Sequence, residues 1–150
     1  MHPEQTDLDT VRAWFMGWGP LVAGQRFAEA RALFDPGVIG FGTYMDLVEG
    51  LDGLEARQWR AIWPSIADFR FLPETLRIFT SADRLLVTAL ILWTSTGFRE
   101  DGTPFPRPGR TTAVLKRAQA GAPWRGIHTH FSEFPAEHAK TFERDVRPTG

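Results

Sequence analysis

His128 and His130 are one residue apart in a β-forming stretch, so both side chains leave the same face of a strand. Such a pair can ligate a metal ion, or one member can serve as a general base. A metal needs a third ligand, and Asp46, Glu133 and His138 are the candidates. A third reading is structural, with the pair packed against another surface. Strict alternation groups Trp124, His128, His130 and Ser132 on one face, with Ile127, Thr129 and Phe131 on the other.

The remaining chemistry-bearing residues are few. Tyr44, the sole tyrosine, is either a pocket hydrogen-bond donor or a half-buried strand residue. Asp46 follows two positions later, as a proton-transfer acid or a solvated loop carboxylate. Arg110 is a candidate cation for a ligand, its alternative being a strand-end salt bridge. Aromatic content is unusual: six Trp, twelve Phe and one Tyr in 150 residues. The excess of Phe over Tyr favours dry surroundings, either a large core or an aromatic-lined pocket. Trp14 and Trp18 share a face of one helical segment, Trp59 and Trp63 share a face of another, and Trp93 sits mid-strand.

Composition narrows the function class. The chain has no cysteine, which removes disulfides and thiolate metal sites and fits a reducing cytoplasm. A formal net charge of −1 offers no basic footprint for nucleic acid or an anionic membrane. The first residues lack the pattern of a signal peptide. The longest apolar stretch, residues 85–93, is far short of the ~20 residues a membrane helix needs.

Several elements must hold these residues. Val11, Trp14, Phe15 and Trp18 recur at helical spacing and predict a helix over 7–18, capped by Thr6 or Asp7. Gly19-Pro20 then ends or bends it. A second helix is expected over 25–34, and Asp35-Pro36-Gly37 marks a turn. Strands are expected over 38–44 and 45–49. The run from Asp52 to Glu55 reads as a capping box opening a third helix. Its apolar face is Leu54, Trp59, Ile62 and Trp63, and Pro64 ends or kinks it. Long strands follow over 69–80, interrupted at Pro73, then 85–96, 110–117 and 124–134. Residues 97–109, with three prolines, read as a loop, and a polar tail starts at Glu137. Residues 1–150 form a single α+β domain, its helices on one face of a curved sheet.

That element order resembles the SnoaL-like members of the nuclear transport factor 2 superfamily. The carboxy-terminal motif of Trp124, His128, His130, Ser132 and Pro135 sharpens the match, as do Arg110-Thr111-Thr112 and Leu33-Phe34-Asp35. The chain is also similar to the association (hub) domain of calcium/calmodulin-dependent kinase II. The resemblance implies a cone-shaped fold, related to ketosteroid isomerase, with three N-terminal helices packed on a curved, mainly antiparallel sheet. It places Ile127, Thr129 and Phe131 toward a pocket. The histidines then lie on the convex face, against another sheet or a partner subunit. The isomerase tyrosine and two aspartates have no match here: they fall at Gly17 or Trp18, near Phe41, and in residues 113–115. The ligand-binding arginines of the hub fall on Ala113 and Phe131, so that anion site is absent. Asp46 is then the one carboxylate near the expected pocket mouth. Trp14, Trp18, Trp59, Trp63 and Trp93 would surround the cone, with Arg110, Thr129 and Phe131 as further ligand contacts.

The expected function is binding of a small apolar or polycyclic ligand in an aromatic-lined pocket. Its catalytic form would be cofactor-free acid/base chemistry of isomerase, cyclase or dehydratase type, with Asp46, Tyr44, His128 and His130 moving protons. The alternative is a non-catalytic oligomerisation or ligand-sensing module like the hub. No metal, cofactor, nucleic acid or membrane is expected. A cytoplasmic homodimer is, because apolar runs such as 85–93 need cover on both faces.

Overall fold

An apolar stripe at helical spacing needs a surface to bury it. In the computed structural model, which describes residues 4–135 and 141–143, helix α1 (Gln5–Ala23) buries Val11, Trp14, Phe15, Trp18 and Val22. It runs past the expected stop at Gly19-Pro20. Pro20 cannot donate to the Met16 carbonyl, but it stands at the start of the final turn, where one lost bond does not end a helix. The Gly24 N–H closes that turn on the Pro20 carbonyl at 2.9 Å. Helix α2 (Phe27–Arg31) is shorter than expected, because Phe34 already belongs to strand β1 (Phe34–Phe41). The expected turn at Asp35-Pro36-Gly37 lies inside that strand as a pairing irregularity. There the Asp35 carboxylate accepts the Gly37 N–H at 3.0 Å. Strand β2 keeps only Val48–Glu49 of its expected length.

Helix α3 covers residues 51–65. It opens at Leu51–Gly53, is π-helical over Leu54–Trp59, returns to α over Arg60–Ile62, and closes in the 3₁₀ turn Trp63–Ser65. The capping box does not form: Gly50, at φ 86°, is the N-cap, with no side-chain cap. Asp52 and Glu55 accept hydrogen bonds from Arg31 instead. Helix α1 is therefore long and unbroken, α2 is short, and α3 is assembled from short segments of changing pitch.

The rest of the chain is sheet: β3 (Ala67–Thr80), β4 (Leu86–Phe98), β5 (Pro104–Pro106), β6 (Gly109–Lys116) and β7 (Arg125–Glu133). The strand order is β2-β1-β7-β6-β4-β3, with β5 paired to the end of β4. The expected loop at 97–109 thus contains a strand, and Gly97 and Phe98 extend β4. Every pairing is antiparallel except β1 with β7, so the sheet is mixed. Pro73 falls where the β3–β4 register shifts, between Leu72 and Arg77. The polar tail from Glu137, with His138, lies almost wholly outside the described residues.

Strand β7 breaks the expected alternation. Leu115 pairs with Gly126 and Val114 with His128, which leaves Ile127 as an extra, bulged residue. Side chains before the bulge therefore change face. Trp124, expected beside the histidines, is buried and donates its indole N–H to Thr10 of α1 at 3.0 Å.

The core lies between α1, α3 and the inner face of the sheet. At one end it is closed by charge. Asp7, 1% exposed, accepts from Arg84 Nε at 2.7 Å and from Arg117 at 2.9 Å. The Arg84 hydrogen bond, then that of Arg117, holds the Asp7 carboxyl below the usual carboxylate range. Among the described residues no helix is long and apolar enough to cross a membrane.

Candidate functional site

Alternation along β4 turns Val87, Ala89, Ile91, Trp93 and Ser95 inward. The Trp93 indole needs a neighbour without a side chain. A Cβ on Gly109 of β6 would stand 2.1 Å from its Cζ2, so glycine is required there. Helix α1 contributes Trp18 and Val22 from above, and α3 contributes Gln58, Trp59, Ile62 and Trp63. Gln58 lies close under the β1–β2 connection, where a Cβ on Gly42 would come within 2.9 Å of its Cδ. Together with Ile66, Phe69 and Phe131 these residues enclose a cavity of about 30 Å³. That volume holds about two water-sized groups, since one needs ~10–15 Å³.

The walls are aromatic rings in contact. Trp59 stacks on Trp63 at 4.8 Å, and Trp63 stacks on Phe27 at 5.2 Å. Trp18 meets Phe131 edge-on at 5.4 Å. Polar groups interrupt this wall. Arg107, 5% exposed, donates to Thr43 Oγ1 at 3.0 Å and to Ser95 Oγ at 3.4 Å. Its guanidinium lies 5.2 Å from the centre of the Trp93 ring and 3.5 Å from a carboxylate oxygen of half-exposed Glu133. Trp18 Nε1, Trp93 Nε1 and Gln58 Oε1 also belong to lining residues. Each is buried with no hydrogen-bond partner among the described residues.

Outside the cavity lies a larger depression of about 340 Å³. It shares Ile62, Ile66 and Arg107 with the cavity and adds Tyr44, Phe98 and Phe105. Arg107 therefore stands at the boundary between the aromatic cavity and this depression, which forms its mouth.

Five of the expected ligand contacts meet at this cavity: Trp18, Trp59, Trp63, Trp93 and Phe131. Trp14 does not line it; its indole N–H donates to the Leu33 carbonyl at 3.3 Å. Thr129 is buried on the inner face but lies off the cavity wall. Tyr44 is 72% exposed at the mouth, and Asp46 is a solvated loop acid whose carboxylate accepts the Leu47 N–H. His128 and His130 lie on the outer face: His128 Nδ1 donates to the Ile39 carbonyl at 2.7 Å, and Phe41 packs edge-on to both rings. Arg110 shares that outer face, donating to Ser132 Oγ. Among the described residues no cluster of three His, Asp or Glu can hold a metal, and no carboxylate or imidazole lines the cavity. The four proposed proton carriers are not brought together. The residue that sequence reasoning missed is Arg107. Its signal was a lone cation between Pro106 and Pro108, in a stretch read as loop.

Residues 11–137 match the SnoaL-like domain. The chain belongs to that family. Several solved structures share the shape of this SnoaL-like chain. A ketosteroid isomerase-like protein from Erwinia carotovora atroseptica superposes with a TM-score of 0.73 at 12% identity, covering 89% of this chain and 100% of that one. Aln2 from a Streptomyces species gives 0.70 at 15%, covering 89% and 94%. A nuclear transport factor 2-like superfamily protein from Salmonella enterica gives 0.71 at 17%, covering 95% and 98%. At such identities these likenesses establish the fold of the SnoaL-like chain and leave its chemistry to its own residues. A comparison with curated proteins finds no match.

Proposed function

We propose that this SnoaL-like protein binds a small molecule whose body occupies the mouth and whose end enters the aromatic cavity. The observation that carries this reading is the set of unpartnered polar atoms on Trp18, Trp93 and Gln58. A buried polar group without a partner costs about 1–3 kcal/mol. Three around one cavity make sense when a ligand completes them. A polycyclic ring system does not fit in about 30 Å³, but the mouth, at about 340 Å³, is of the size small ligands use. Binding needs no further group. Proton transfer would have to use Glu133, the carboxylate beside Arg107.

The test is a titration of the purified protein with a panel of monocyclic and bicyclic aromatic compounds, read by Trp emission. Trp18, Trp59, Trp63 and Trp93 line the cavity, so a ligand entering it changes the emission in a saturable way. In Trp93→Phe the change is smaller. Silence across the whole panel, with a crystal structure showing the mouth filled by Tyr44, Phe98 and Phe105, would remove the proposal.

A further inference from the structure

The unpartnered polar atoms on residues that line the cavity are unequal in sign, and that inequality specifies a ligand. Two are N–H donors, on Trp18 and Trp93. Arg107 adds more: a guanidinium carries five N–H groups, and hydrogen bonds to Thr43 and Ser95 occupy two. Against these donors stands a single free acceptor, Gln58 Oε1. Charge points the same way. Arg107 is buried, while its one carboxylate neighbour, Glu133, is half exposed and 3.5 Å away. A buried cation so weakly compensated attracts an anion.

Resting on the small-molecule reading above, we infer that the aromatic cavity receives a carboxylate carrying a neighbouring hydroxyl, on an apolar ring that stays in the mouth. The carboxylate oxygens accept from Arg107 and from the indole N–H groups of Trp93 and Trp18. The hydroxyl donates to Gln58 Oε1. The cavity of about 30 Å³, with space for about two water-sized groups, takes the carboxylate oxygens, while the carbon that bears the hydroxyl stands beside Arg107 at the boundary with the mouth and the ring stays outside. Tyr44, Phe98 and Phe105 at the mouth provide the apolar surface that the ring covers. Planar, forked recognition of a carboxylate suits arginine, and the dry aromatic wall strengthens each charged hydrogen bond.

Isothermal titration of the full chain with four related compounds tests this. 3-Phenyllactate has both groups. 3-Phenyllactamide lacks the charge, 3-phenylpropanoate lacks the hydroxyl, and 3-phenylpropan-1-ol has no acid. Naphthyl counterparts of each vary the ring. Phenyllactate, or its naphthyl counterpart, should bind at least about tenfold more tightly than its amide, the worth of one charged hydrogen bond. It should also bind about threefold or more better than the acid without a hydroxyl. Arg107→Met should erase the preference for acid over amide, and Gln58→Leu the preference for the hydroxyl. Equal binding of acid, amide and alcohol would overturn the carboxylate and leave the small-molecule reading standing. No binding by any compound, with Trp emission silent to the wider panel, would overturn both. If Arg107→Met does not fold, the acid–amide ratio in the unmodified protein decides.

Discussion

Strand β6 has a buried arginine just beyond each end, and the two are satisfied differently. Arg117, after Lys116, donates to the buried Asp7 carboxylate at 2.9 Å and to the Arg84 carbonyl at 2.9 Å, with its guanidinium over Trp124. Arg107, before Gly109, also lies near an indole, but it donates to two neutral hydroxyls and faces a half-exposed glutamate. At the first end two arginines share one buried carboxylate, which fastens α1 to the sheet. At the second the arginine's carboxylate is half exposed and 3.5 Å away.

Three measurements break or sharpen that contrast. The largest effect is expected at Asp7. Asp7→Ala leaves Arg117 buried without its carboxylate, which costs about 3–5 kcal/mol of unfolding free energy in urea. Because Arg84 and Arg117 lower the Asp7 pKa, its contribution is complete above the unfolded carboxylate value of about 4. It is lost as pH falls from there through the folded value. The variant should therefore show a flatter acid limb than the parent. Arg107→Met comes next. Thr43 and Ser95 keep hydroxyls that can turn to new partners, and Glu133 reaches water, so the change in stability should stay below about 1.5 kcal/mol. A loss as large as that of Asp7→Ala would show that both arginines are structural. The smallest effect is expected at Thr111, whose buried hydroxyl also lacks a partner but lies off the cavity wall. Thr111→Val removes an unpaired group at nearly constant shape and should raise stability by up to about 1 kcal/mol. Ligand affinity should not change.

The fold was legible where periodicity is strong. Val11 to Trp18 announced α1, and the apolar alternation around Trp93 announced β4. Boundaries failed where a single residue was taken as a stop. Pro20 sits within α1 because its missing donor falls near the helix end, where few bonds depend on it. Asp35-Pro36-Gly37 looks like a turn, but β1 is an end region of the sheet and tolerates an irregular pairing. The face of Trp124 was misread because a bulge at Ile127 shifts the period by one, and Gly126 beside it was the overlooked signal. The site was half legible. Four of the five tryptophans that the resemblance set around the cone line the cavity, and Trp14 does not. The polar partner was hidden, because what makes Arg107 special is burial between two prolines, and burial of a loop cation is a tertiary fact.

The stacked indoles of Trp59 and Trp63 carry a consequence of another kind. Two identical chromophores 4.8 Å apart and inclined by 17° share their electronic excitation, so their transitions couple and split. Their circular dichroism then contains a signed couplet set by the relative orientation of the two rings. Both rings line the cavity, and both are carried by one short stretch of α3, at whose π-helical end Trp59 stands. A shift of that stretch by a fraction of an ångström would alter the couplet before it altered the helix content. Trp14 and Trp18, 5.2 Å apart and inclined by 60°, add a second couplet, so the spectrum gauges the α3 wall and the α1 face above it together, without any label.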